Sequence, residues 1–72
     1  MPDTGSESVT ELAKFDAPFG REIMLQNVEH ESGMTMMRLR IREGSRFTIL
    51  DIDAPTAKIW SAEMSEWAES SS

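Results

Sequence analysis

Acid–base and nucleophilic catalysis both need a reactive group, a base within hydrogen-bond reach and a third group that orients the base. This sequence holds a single histidine, His30, and no cysteine. Glu29 and Glu31 flank His30, but side chains one residue apart in a strand point to opposite faces, so neither glutamate is placed to orient the imidazole ring. We interpret His30 as a solvated residue beside a turn rather than as a base or a metal ligand. The sequence therefore predicts no catalytic residue, and a protein that is not an enzyme.

Two carboxylates at alternating positions, Asp51 and Asp53, could chelate a hard cation. Calcium takes about 6–8 oxygen ligands, and the D-x-D-x-D-G spacing of an EF-hand loop is missing here. The simpler interpretation is that Asp53 caps a helix and that Asp51 ends a strand near the positive end of that helix. The glycines at turns are single rather than clustered, which excludes a glycine-rich phosphate loop. We predict neither a metal nor a cofactor.

Four of the seven cationic residues are arginines that fall within residues 38–46, namely Arg38, Arg40, Arg42 and Arg46. The chain as a whole is acidic, with a net charge of -6 and a pI near 4.5. Such a charge repels nucleic acid and anionic lipid at long range. What the arginines can do therefore depends on the elements that position them.

Residues 21–30 have the alternation of a strand, and Glu31-Ser32-Gly33 follows as a three-residue hairpin loop. In such a loop the glycine takes the left-handed conformation and forms a bulge. His30 then pairs with Met34, and the register continues upstream to pair Leu25 with Leu39 and Ile23 with Ile41.

The same loop rule, applied to Arg42-Glu43-Gly44, pairs Leu39 with Phe47 and Met37 with Ile49. The two turns then agree on one apolar sheet face, and a one-residue slip in either hairpin would scatter that face over both sides. The face comprises Ile23, Leu25, Met37, Leu39, Ile41, Phe47 and Ile49. The pattern predicts an antiparallel meander.

A helix follows the meander. Asp53 is a good N-cap, and Pro55 is acceptable in the first helical turn, where backbone N–H groups are unpaired. Its apolar stripe has helical spacing and consists of Ala57, Trp60, Met64, Trp67 and Ala68. We expect this helix to lie across the apolar sheet face, with both tryptophans closing the core.

Residues 9–15 are ambiguous between a strand and a helical turn, and we favour a short edge strand before the turn at residues 16–20. The predicted fold class is α+β: an antiparallel three- to four-stranded β-meander with one C-terminal α-helix packed across one sheet face. Residues 1–8 are predicted to be a disordered acidic tail, residues 9–69 a single domain and residues 70–72 a frayed terminus.

This register places an apolar and basic surface on the sheet face opposite the helix. Its predicted members are Met24, Val28, Met36, Arg38, Arg40, Arg46, Leu50 and Ile52. Methionine and arginine are enriched in protein interfaces, which favours binding of another protein or of a second copy as a homodimer. Nucleic acid is the alternative, although the net charge opposes it and the predicted face has no aromatic platform for bases. The third interpretation is a purely structural surface, in which long side chains cover apolar neighbours.

The absence of cysteine, of a signal-peptide pattern and of an apolar run near ~20 residues predicts a cytoplasmic protein with no membrane span. We expect a small non-catalytic accessory or protein-interaction domain. Its type, a meander closed by a helix, resembles many short bacterial proteins, and that likeness transfers no function.

Overall fold

The structure, a computed structural model, describes residues 7–71. It contains four strands, β1 (Glu7–Ala17), β2 (Arg21–His30), β3 (Thr35–Glu43) and β4 (Arg46–Ile52), followed by one helix, α1 (Ala54–Ser71). The strands form one antiparallel sheet in the order β1-β2-β3-β4. The predicted α+β fold class is confirmed, and the sheet has four strands, the upper number of the prediction.

The segment that was ambiguous in sequence is a full strand. β1 pairs with β2 from Glu7 opposite His30 to Ala17 opposite Arg21, with a bulge between Glu11 and Ala13. The predicted tail is therefore too long, because this pairing continues to Glu7. At the other end of the chain, α1 continues to Ser71, one residue beyond the predicted start of the frayed terminus. The rest of both predicted termini lies outside the described residues.

The hairpin between β2 and β3 has the predicted register. The N–H of Gly33 donates to the carbonyl of His30, the N–H of His30 donates to the carbonyl of Met34, and both bonds are 2.8 Å long. Gly33 has a φ of 95°, a left-handed value that disfavours side chains. Leu25 lies opposite Leu39 and Ile23 opposite Ile41, as expected.

The predicted register between β3 and β4 is wrong. The connection is a two-residue loop, Gly44-Ser45, so Glu43 pairs with Arg46 and Leu39 with Leu50. Gly44 has a φ of 63° at the first loop position, which is the glycine position of a II′ hairpin turn. This turn moves β4 by three residues against β3 relative to the prediction.

A shift by an odd number of residues exchanges the two sides of a strand. Thr48, Leu50 and Ile52 therefore face the helix, whereas Phe47 and Ile49 lie on the opposite side with the arginines. We call the side of Leu39 and Ile41 the helix face. The arginine face is the side that carries Arg38, Arg40 and Arg42.

The helix begins as predicted. The N–H of Thr56 donates to Asp53 Oδ1 at 3.0 Å, and the N–H of Ala57 donates to the Asp53 carbonyl at 3.0 Å. The Thr56 bond stabilises the charged form and lowers the pKa of Asp53 below its usual value. α1 packs against the sheet at β3. Its residues are not apolar enough for a helix that crosses a membrane.

The tryptophans do not close a core, which corrects the prediction. Trp60 and Trp67 are both exposed, and α1 has no buried residue. Across residues 7–71 only Val28 and Ile52 are buried. The backbone of the sheet is well paired, but its helix face is only partly covered.

Candidate functional site

The corrected register divides the predicted interaction surface between two faces. Met24, Met36, Arg38 and Arg40 lie together on the arginine face, as predicted. Val28 lies there too, between Val9 and Met36, but it is fully buried and cannot contact a partner. The prediction is wrong for Arg46, Leu50 and Ile52, which belong to the helix face because the β3–β4 turn is one residue shorter than assumed and begins later.

Arg38 is held by acidic neighbours. Its Nε and Nη2 atoms donate to the two carboxylate oxygens of Asp51 at 2.8 and 3.0 Å, which is a bidentate pair across β3 and β4. A Glu7 oxygen lies 3.6 Å from Arg38 Nη2 and 4.0 Å from His30 Nδ1. The hydrogen bonds lower the pKa of Asp51 and raise that of Arg38. The Arg38 guanidinium is therefore already paired with carboxylates of its own chain.

Arg42 is also paired within the sheet. Its Nε donates to a Glu22 oxygen at 3.3 Å, and Lys14 Nζ lies 3.8 Å from the other oxygen of that carboxylate. Glu22 thus bridges cations from β1 and β3, its two neighbouring strands. These partly exposed pairs contribute little to stability individually. They do offset part of the positive charge at this end of the arginine face.

Arg40 differs from both neighbours. Its guanidinium lies over the Phe47 ring, 4.7 Å from the centroid, which is a cation–π contact. No acidic partner of Arg40 is found within residues 7–71, and its Nε atom is buried without a hydrogen bond. Ile49 lies directly opposite Arg40, and the side chains of Phe47 and Ile49 are each more than half exposed. We call Arg40, Phe47 and Ile49 the arginine patch.

Sequence reasoning missed Phe47 and Ile49 as members of this surface. One signal could have found them. A bidentate pair between Arg38 and Asp51 forms most readily when those residues are opposite, and that pairing places Ile49 opposite Arg40. Gly44-Ser45 also fits a two-residue turn with glycine first.

A second surface lies between α1 and the helix face of the sheet. It is an open groove of about 580 Å³, and all four strands and the first half of α1 line it. Its walls are mostly apolar: Phe15 and Leu50 from the outer strands, Leu39 from the centre, and Trp60 and Met64 from the helix. We call this surface the groove.

The two aspartates that were considered as metal ligands have separate structural roles. Asp53 caps α1, in agreement with the simpler interpretation, whereas Asp51 binds Arg38, a pairing that the sequence did not predict. His30 faces Glu7 rather than the adjacent glutamates. In the part of the chain that the structure describes, no group of three or more His, Cys, Asp or Glu side chains is arranged to hold a metal ion.

These features define a small α+β protein, a four-stranded meander with one helix and an exposed surface on each side of its sheet. The chain belongs to a family of unknown function, DUF6967, whose model matches residues 6–70. No curated protein and no solved structure matches the chain.

Proposed function

We propose that this protein is a small non-catalytic interaction domain of the cytoplasm, which binds another protein through the arginine patch. The observation that carries this proposal is the state of Arg40. It is stacked on an exposed aromatic ring and has no acidic partner in the described chain, while Arg38 and Arg42 on either side are both paired.

The layout of this face resembles that of a protein interface. Such interfaces have an apolar and aromatic centre, in which arginine and methionine are enriched, and a polar rim. Here Phe47 and Ile49 form the centre with Arg40, and the ion pairs of Arg38 and Arg42 form the rim. Large arginine and aromatic side chains also carry most of the binding energy in typical interfaces.

The chemistry of the patch specifies the partner surface. The terminal nitrogens of Arg40 need a carboxylate or carbonyl acceptor, and Phe47 and Ile49 need apolar contacts on either side of it. A partner segment that places an acidic side chain between apolar ones meets both needs. Desolvation of the pair by the surrounding apolar contacts would strengthen the charge-assisted hydrogen bonds.

Photo-crosslinking tests this proposal in cells that contain the natural partner. A photo-reactive amino acid replaces Ile49 in one form of the protein and Ile59, on the outer side of α1, in a control form. We expect a discrete adduct with another protein from position 49 only. Arg40→Gln should abolish it, whereas Arg21→Gln, the same change on the opposite face, should leave it intact.

An adduct that forms equally from both positions, or that survives Arg40→Gln, contradicts the proposal. So does the absence of any protein adduct from position 49. Isothermal titration with the captured partner then measures the loss for Phe47→Ala, which we expect to be at least tenfold in affinity, about 1.4 kcal/mol.

Single-stranded nucleic acid is the second candidate, and the corrected register favours it in one respect. Phe47 is an exposed aromatic side chain on the arginine face, where a base could stack. Against it, the acidic side chains of the face (Glu7, Glu11, Asp16, Glu22, Asp51) outnumber the basic ones (Lys14, Arg38, Arg40, Arg42). Titration with a fluorescent oligonucleotide at low salt distinguishes the candidates, because binding to phosphates must weaken steeply as salt increases.

A further inference from the structure

The helix face of the sheet is too wide for the helix that covers it. An α-helix with its side chains is about 10–12 Å across, and neighbouring strands are about 4.8 Å apart, so one helix covers roughly two strands. This sheet has four strands, and α1 packs against β3. Phe15 on β1 and Leu50 on β4 remain about half exposed on either side. The helix face of the sheet therefore has the width to hold a second helix beside α1.

The apolar stripe of α1 is exposed as well. Trp60, Met64 and Trp67 recur at helical spacing and are 37%, 59% and 70% exposed. Trp67 does not line the groove of its own chain, although Trp60 and Met64 do. The second half of the stripe therefore has no apolar surface to contact within its own chain.

We propose that a second copy of this chain covers the groove, with the helix stripe of each copy packed on the helix face of the other. The arrangement is a two-fold symmetric dimer, in which one surface patch is complementary to itself. This inference uses the face opposite the arginine patch, so it does not depend on the proposed function.

The exposed area is sufficient for such a dimer. At roughly 200 Å² for a large apolar side chain, the exposed parts of Phe15, Leu50, Trp60, Met64 and Trp67 come to roughly 500 Å² per chain. This area is already more than half of the ~800 Å² per partner of a standard interface, and the half-buried sheet residues of the groove add to it.

A second copy fits better than an unrelated protein for two reasons. With only Val28 and Ile52 buried among the described residues, the chain has a small core that a further apolar layer would stabilise, and a second copy is present wherever the chain is made. The groove also needs an apolar helix, and the chain carries one whose glutamates do not line the groove.

Sedimentation equilibrium with two matched variants tests the dimer. Trp67→Glu and Ile59→Glu place the same charge on helix residues that are 70% and 68% exposed and lie outside the groove of their own chain. Only Trp67 belongs to the stripe. We expect wild type and Ile59→Glu to sediment at twice the 8.1 kDa chain mass, and Trp67→Glu to dimerise at least tenfold more weakly.

Three outcomes would overturn the inference. The first is a wild-type monomer at about 100 μM, a concentration at which a dimer with a Kd near 1 μM is nearly complete. The second is a Trp67→Glu variant that dimerises like wild type, and the third is equal weakening of the dimer by both variants. The second outcome would point instead to pairing of the exposed edge of β4.

Tryptophan fluorescence of the wild-type chain keeps the inference testable if Trp67→Glu fails to fold. Both tryptophans of the sequence lie on the stripe. The dimer predicts emission typical of buried indole at high concentration and a red shift on dilution, in the same range in which the mass falls. Emission typical of exposed indole at every concentration contradicts it.

Discussion

The two faces of this sheet satisfy their side chains in different ways. On the arginine face, Arg38 and Arg42 have carboxylate partners on neighbouring strands of the same chain. On the helix face, apolar residues meet a helix that covers only part of them. An ion pair needs one correctly placed neighbour, which the strand register supplies. Cover for an apolar face needs a complete second layer, which a single helix does not provide.

The largest predicted effect is a difference in stability between two variants, each of which shortens one side chain on one face of the sheet. Leu39 and Arg40 are adjacent in β3, and Leu39 lines the groove while Arg40 lies in the arginine patch. Leu39→Ala should lower the free energy of unfolding by roughly 1.5–2.5 kcal/mol, because it removes apolar side-chain area from the partly covered layer between β3 and α1. Arg40→Ala should change it by less than about 1 kcal/mol.

Urea denaturation at one fixed protein concentration measures both values. A fixed concentration matters because the stability of a dimer depends on it. Equal losses for the two variants would contradict the distinction between a face that holds the fold together and a face that is available to a partner.

The second prediction concerns the best-formed ion pair of the arginine face. Asp51→Asn removes the bidentate acceptor of Arg38 and should lower the stability at pH 7 by about 1–2 kcal/mol. Glu43→Gln is the control, since the pair between Arg21 and Glu43 is exposed and should contribute little. Thermal denaturation of the two variants compares them directly.

The pH dependence of the same pair has a defined sign. The Arg38 hydrogen bonds hold the pKa of Asp51 below its ordinary value of 3.8 in the folded chain. The pair therefore stabilises the fold above the unfolded pKa, and its contribution is lost as pH falls through the lower folded value. Wild type should lose more stability than Asp51→Asn between neutral pH and the acid range. Parallel curves for the two proteins would contradict this assignment.

The smallest prediction is a gain at the tip of the first hairpin. Phe19 has a φ of 65°, a left-handed value that is unfavourable for an aromatic residue. Phe19→Asn should raise the free energy of unfolding by about 0.5–1 kcal/mol, because asparagine tolerates this conformation. Because Phe19 is almost fully exposed, no packing is lost. A decrease in urea denaturation would indicate that the ring makes contacts that stabilise the fold.

The sequence was sufficient for β2, β3, β4 and α1, and for the β2–β3 register, because Gly33 allows one clear loop. It left β1 ambiguous between a strand and a helical turn. It was not sufficient for the register of β4. That strand carries apolar side chains on both sides, Phe47 and Ile49 on one and Leu50 and Ile52 on the other, so alternation does not select a face. The ion pair between Arg38 and Asp51 is the physical feature that distinguishes the observed β3–β4 register from the predicted one.

The exposure of the helix stripe could not be predicted from the stripe itself. The spacing of Trp60, Met64 and Trp67 shows which side of α1 is apolar. It does not show whether that side covers the sheet of its own chain or the sheet of a second chain. The same pattern would fit a helix packed on its own sheet and a helix exchanged with a partner. Only the width of the sheet and the exposure of Trp67 separate these two arrangements.

The most direct test is nuclear Overhauser contact between copies in a mixed sample, with isotope label in only half of the chains. The dimer predicts contacts from the Trp67 indole of one copy to the methyl groups of Ile23 and Leu25 in the other. A mixed sample with no contact between copies, from a protein that sediments as one 8.1 kDa chain, would contradict it.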